Sequence, residues 1–182
     1  MEILRVLDMV TQMRLRGGLL AVAAVVLCSC YESEFVLGPV SEGTIDLRLV
    51  GSWRCVSAEE SENKPILITV RPFDEKQYFV GLASEGEEAF HYRAYSTSVN
   101  GTTLHNVQAL GPHKNPAERT WIFVRASLLK PDVLQLEIVR DGPFKGIEPA
   151  ARTVREIVER LHQSPELYQE YCVCVRVTEK SK

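Results

Sequence analysis

Five cysteines are the most reactive side chains of this 182-residue chain, and their spacing sorts them into three groups: Cys28 with Cys30, then Cys55, then Cys172 with Cys174. A thiolate is a soft nucleophile that can be alkylated, pair with another sulfur or ligate a metal, so each group poses its own chemistry. Cys172-Val173-Cys174 sets two thiols at i and i+2, on one face of an extended strand. That is not the spacing of a redox-active dithiol, and with Cys55 it matches no standard zinc pattern. If the first and last strands pair, Cys55 could face Cys172 or Cys174, and a disulfide there would close a long loop, adding roughly 2–4 kcal/mol. Three buried, reduced cysteines acting as small hydrophobes are the alternative.

The other chemistry-bearing residues form no such groups. His91, His105, His113 and His162 lack His-Glu-X-X-His spacing and read as polar residues on sheet faces or the surface, with no metal expected. Two acidic runs, Glu59, Glu60 and Glu62, then Glu85, Glu87 and Glu88, lack the regularly placed Asp and Asn of a calcium loop and read as solvated surface. No Gly-X-Ser-X-Gly, phosphate-binding loop or dinucleotide fingerprint occurs, so no catalytic residue, no cofactor and no enzymatic activity are expected. The net charge of −3 speaks against nucleic acid as a partner, which calls for a basic face. Phe90 with Tyr92, and Trp121 with Phe123, alternate along extended stretches. Inside a barrel they would line a cavity for an apolar ligand or, the preferred reading, fill a solid core.

The first cysteine pair belongs to a leader. Arg14 and Arg16 precede Gly17-Gly18, an apolar stretch over 19–27, and Leu27-Cys28-Ser29-Cys30. A basic segment, a short apolar segment and small residues before a cut describe an export signal, and the apolar stretch is shorter than the roughly 20 residues that span a bilayer. The last four residues resemble a lipobox, the cleavage motif of bacterial lipoproteins. Leu27, Ser29 and Cys30 match it, and Cys28 is unusual at its place. Lipidation at Cys28 would put Leu27 where a small residue is needed, so Cys30 is the expected attachment site. The resemblance implies a diacylglyceryl thioether on Cys30, palmitate-type acyl chains worth about 0.8 kcal/mol per buried CH₂, and a membrane as partner. With Tyr31 rather than Asp after Cys30, the expected location is the cell envelope, at the periplasmic face of the outer membrane. Glu2 and Asp8 are out of place in an export signal, and translation from Met13 would give a basic start, so Met13 is the expected initiator. Residues 1–29 are thus read as a signal peptide, 30–44 as a lipidated flexible tether, and 45–182 as one folded domain, consistent with 45% hydrophobic and 25% charged residues.

The domain reads as seven or eight short strands. Alternating or turn-bounded stretches lie at about 52–58, 66–71, 77–83, 89–97, 103–109, 120–127 and 133–140. Asn100-Gly101 predicts a type I′ hairpin, and its match to a glycosylation acceptor carries no weight in a bacterial protein. After Gly142-Pro143 the period changes. Pro149 suits the first turn of a helix, and Val154, Ile157, Val158 and Leu161 make one apolar stripe. Ser164-Pro165 ends it, and 171–177 alternates as a last strand, with Tyr171, Val173, Val175 and Val177 on one face and Cys172, Cys174 and Arg176 on the other. The expected fold class is mainly β, an antiparallel barrel with one helix before the final strand.

Asp46-Leu47-Arg48-Leu49-Val50-Gly51-Ser52-Trp53 resembles the entry of a lipocalin-like (calycin) barrel, where a short helical turn leads into a Gly-X-Trp that opens the first strand. The resemblance implies that Gly51 permits a bend, that Trp53 plugs a closed barrel end, and that a late basic residue, Arg176 or Arg140, packs over the ring. The chain is also similar to small bacterial lipoproteins of uncharacterised activity. Two functions follow as expectations: a non-enzymatic envelope lipoprotein that binds a small hydrophobic ligand or an envelope protein, or a structural or protein-interaction module with a filled barrel.

Overall fold

Strands with apolar residues at every second position must bury one face, and eight of them do so here by closing on each other. The structure, a computed structural model, describes residues 30–58, 65–86, 88–111 and 120–178. The expected signal peptide, with Met13, Leu27, Cys28 and Ser29, lies outside the described residues, as do Glu59, Glu60, Glu62, Glu87 and His113. The strands are β1 (Gly51–Ser57), β2 (Ile66–Pro72), β3 (Tyr78–Ser84), β4 (Phe90–Val99), β5 (Thr102–Leu110), β6 (Trp121–Lys130), β7 (Val133–Val139) and β8 (Tyr168–Arg176). Each pairs antiparallel with the next, and β8 pairs back onto β1. Among the described residues one α-helix, α1 (Ala151–Leu161), precedes β8. Asn100 and Gly101 both have positive φ, 48° and 82°, and join β4 to β5 in a two-residue turn.

Two apolar bodies result. One fills part of the barrel and comprises Leu49, Trp53, Cys55, Ile68, Leu134, Cys172 and Cys174. The other lies outside the β4–β6 wall, where Tyr95, Val99, Leu104 and Phe123 meet Val154, Ile157 and Val158 of α1. The helical stripe thus buries its apolar face against the barrel's outer surface, while Arg152–Glu156 and Arg155–Glu159 pairs occupy its polar side. Pro149 stands before the helix rather than in its first turn, which starts after Ala150.

Residues 31–44 depart from expectation. Instead of a loose tether they form a strap on the barrel's outer wall, beneath α1. Tyr31 donates its N–H to the Val139 carbonyl at 3.0 Å and stacks on Phe144 at 3.7 Å. Ser33 exchanges two backbone hydrogen bonds with Trp121, and Leu37, 1% exposed, donates its N–H to Asn106 Oδ1 at 2.8 Å. Tyr95 Oη donates to the Gly38 carbonyl at 2.8 Å, and a Cβ on Gly38 would stand 2.8 Å from Thr97 Cγ2. Tyr31, Phe35 and Leu37 are apolar residues among acids and glycines, and with Val36 and Val40 they pack into the seam between α1 and the β4–β6 wall. The folded body therefore starts at the strap and not near Ile45.

Candidate ligand cavity

From the strap the chain crosses one end of the barrel and enters β1. Thr44 donates its N–H to Ser96 Oγ of β4 at 3.0 Å, and Asp46 donates its N–H to Tyr78 Oη of β3 at 2.5 Å. Gly51 then turns the chain with φ +142°, in a place where a Cβ would meet Arg176 Nη1 at 2.6 Å. Trp53 is fully buried behind this crossing and donates its indole N–H to the Leu49 carbonyl at 2.9 Å. The Arg176 guanidinium lies 4.1 Å from the Trp53 ring centroid and donates to the Val50 and Arg48 carbonyls. Arg140 is elsewhere, beyond the end of β7, in a bridge with Cys30.

Cys55 and Cys174 face each other in the β1–β8 pairing and form a disulfide across 119 residues of sequence. Cys172, fully buried, lies with its sulfur 3.6 Å from that of Cys174. All three sulfurs fall within 4.8 Å of one another, so the unbridged cluster could hold a thiophilic metal, whereas the disulfide leaves one thiol. Burial pushes the Cys172 thiol up to about 12, which makes it a poor nucleophile at neutral pH.

Beyond Trp53 the barrel is hollow. A cavity of about 230 Å³ is lined by inward side chains of β2 to β8, among them Val80, Leu82, Val107, Ile122, Val124, Leu136 and Ile138. The preferred reading of a filled barrel is thus corrected, and the aromatic residues account for it. Trp121 and Phe123 point outward: Trp121 takes the Tyr95 edge at 5.6 Å and the Arg93 guanidinium at 5.0 Å, and Phe123 is buried beneath the strap and α1. Their neighbours Ile122 and Val124, which are smaller, face inward. Phe90 is 56% exposed, and Tyr92 lines the cavity. Tyr171 also faces inward, off the face expected for it with Val173, because the β7–β8 register shifts between Leu136 and Glu137 and the extra residue on β8 reverses the alternation.

The cavity carries no formal charge. Among the described residues its lining includes no Asp, Glu, Lys or Arg. Burial pushes the Tyr78 and Tyr92 phenols up, so both stay protonated. His105, expected on a sheet face or the surface, is on a sheet face, the inner one of β5, where it is 7% exposed and 5.9 Å from the Tyr78 ring. Burial brings the imidazole down to about 4, so it is neutral at pH 7. Its inward direction was legible in the alternation His105, Val107, Ala109, but the closure that buries it was not. His91, by contrast, is on the outer face, stacked on Phe79 at 5.3 Å.

Cys30 lines the same cavity at the end opposite Trp53, since Arg140, its bridge partner, follows the last residue of β7. No described helix is long and apolar enough to cross a membrane. A closed antiparallel eight-stranded barrel around an apolar, uncharged cavity is the class of protein that fold and site define. Comparison finds no family model, no curated protein and no solved structure that matches the chain.

Proposed function

We propose that this protein is a lipid-anchored protein of the bacterial cell envelope whose lipocalin-like barrel holds a small hydrophobic ligand and performs no catalysis. The observation that carries the ligand reading is the cavity of about 230 Å³, apolar and without a charged lining residue. Emptying apolar walls of contacts is unfavourable, and an apolar guest restores those contacts and leaves water in the process. The lipobox resemblance supports the anchor, and the position of Cys30 gives it a role. A lipid on its sulfur would hold the barrel end opposite Trp53 at the bilayer, so an apolar ligand would pass between membrane and cavity without crossing open water.

The test has two parts. Purified full-length protein is titrated with the apolar fluorophore N-phenyl-1-naphthylamine, alone and as Val107→Trp, which fills the cavity. Saturable binding by the parent and none by the folded variant is expected, and equal binding by both would sink the ligand reading. Mass analysis of the protein from its native membrane should find the acylated mature N-terminus at Cys30, and Cys30→Ser should abolish it. An unmodified Cys30 would remove the anchor.

A second reading, a protein-interaction module, draws on the outer face of β8, β1 and β2. There Val175, Val56 and Leu67 are 53%, 62% and 42% exposed, away from the wall that α1 covers. Cross-linking at Val56 in the native membrane, with the captured partner sequenced, tests it.

A further inference from the structure

The Trp53 end of the barrel has two compartments, and His105 belongs to both. On one side is the apolar cavity. On the other is a recess of about 360 Å³ under the crossing segment, lined by Thr44, Asp46, Arg48, Ser96 and Thr103. Leu49, Tyr78, His105 and Ala126 line both spaces. The recess is polar but balanced in charge. Its acid and base neutralise each other, Asp46 Oδ2 lying 2.7 Å from Arg48 Nη2, and the hydroxyl of Ser96 donates to the Thr44 carbonyl at 2.9 Å. Among the described residues lining it no second cation is left over for an anionic ligand, and Asp46 would oppose one.

His105 differs from these groups in its burial and in facing the apolar cavity as well. Among the described residues no hydrogen bond to its ring is formed, and its nitrogens are not sealed in the wall: the residue, 7% exposed, opens onto both spaces. A ring nitrogen that opens onto such a space takes its hydrogen-bond partner from whatever occupies it. In its neutral form the ring has one N–H donor and one acceptor, the complement of a hydroxyl or an amide. A carboxylate there would be desolvated beside an uncharged ring and near Asp46, an arrangement that proteins avoid.

We propose, building on the ligand reading above, that the occupant is an uncharged amphiphile: one apolar chain or ring system ending in a hydroxyl or amide, seated with that polar end on His105 and its apolar part toward Cys30. Ligands of this class include long-chain alcohols, monoacylglycerols and neutral sterol-like alcohols. Free fatty acids, of equal chain length, are excluded by charge and not by shape.

The experiment is a displacement titration on the full-length protein at pH 7.5, with bound N-phenyl-1-naphthylamine competed by 1-dodecanol, dodecane and dodecanoate. Dodecanol is expected to compete at least roughly tenfold better than dodecanoate, and roughly three- to tenfold better than dodecane, the worth of one net hydrogen bond. His105→Leu should remove the advantage of the alcohol over the alkane, read as the ratio of the two competitors within the same variant, while His105→Gln, which keeps a donor and an acceptor, should retain part of it. A shift of the His105 ring resonances with dodecanol but not with dodecane reads the contact without any substitution. Dodecanoate competing as well as the alcohol, or no His105 shift with dodecanol, overturns this assignment while leaving the cavity reading intact. If the fluorophore itself fails to bind, the cavity reading falls and this one with it.

Discussion

At Gly51 a hydrogen atom in place of a side chain lets the chain turn into β1 beneath the Arg176 guanidinium. The φ of +142° there is open to glycine and strained for any other residue, and a Cβ would press on the guanidinium that covers Trp53. Gly51→Ala is therefore expected to destabilise the fold by about 1–3 kcal/mol, seen as a lower urea midpoint with an unchanged slope. His105 sets a second expectation, in pH. Its folded pKa is about 4, against about 6.5 when unfolded, so the unfolded chain takes up the proton first as pH falls. Stability from this group is then complete above pH 6.5 and lost progressively between 6.5 and 4, by about 3 kcal/mol at most. Asp46 and Tyr78 are the titratable neighbours facing the ring, and Asp46, whose carboxyl Arg48 holds below its usual range, is still ionised over most of that window. Urea unfolding at pH 7.5 and 4.5, compared between the parent and His105→Leu, isolates the effect: the variant should lose less stability on acidification.

Among the elements, the β1–β8 seam closes the cylinder, and it is the one place where strands far apart in sequence must find each other. The Cys55–Cys174 disulfide spans 119 residues, and closing so long a loop in the unfolded chain stabilises the fold by roughly 2–4 kcal/mol. Cys55→Ala is the informative substitution, since Cys172 is near enough to replace Cys174 as a partner. Thermal unfolding should show a clear drop in Tm for this variant, and a parent insensitive to reduction would contradict the assignment. Cys172 gives a complementary expectation: it should resist iodoacetamide in the native protein and react after denaturation, because burial holds it as a thiol. The same strand shows where local pattern misleads. β8 begins at Tyr168, three residues before the start of its visible alternation, because the bulge at Tyr171 breaks the period between two regular stretches.

Across the whole molecule, the strap ties both ends of the barrel together. It begins beside Val139 and Trp121, runs under α1, and finishes at Ser96 where the crossing segment starts. A chain begun at Ile45 would lose Tyr31 and Leu37, two buried side chains worth about 3–6 kcal/mol together, and would bare the inner face of α1. It is expected to melt well below a chain begun at Tyr31, or to aggregate, when the two are compared by thermal scan. With so short a distance between Cys30 and the folded body, a lipid on that sulfur would leave the domain little freedom to leave the membrane surface.

Local order in this chain was set by the sequence itself. Alternation in Ile66, Ile68 and Val70, the Asn100-Gly101 turn and the stripe from Val154 to Leu161 are short-range patterns, enforced by backbone geometry wherever they occur. The lipobox resemblance of Leu27, Ser29 and Cys30 is likewise read from neighbouring residues, without any fold. Pairings between distant residues depended on tertiary structure: the choice of Cys174 over Cys172 by Cys55, the outward turn of Trp121 and Phe123, and the burial of the strap. The hollow interior depended on it too, for volume inside a closed barrel is a sum over eight strands at once. So did the surroundings of His105: which polar groups a side chain meets depends on register and closure, and neither is written in the residues beside it.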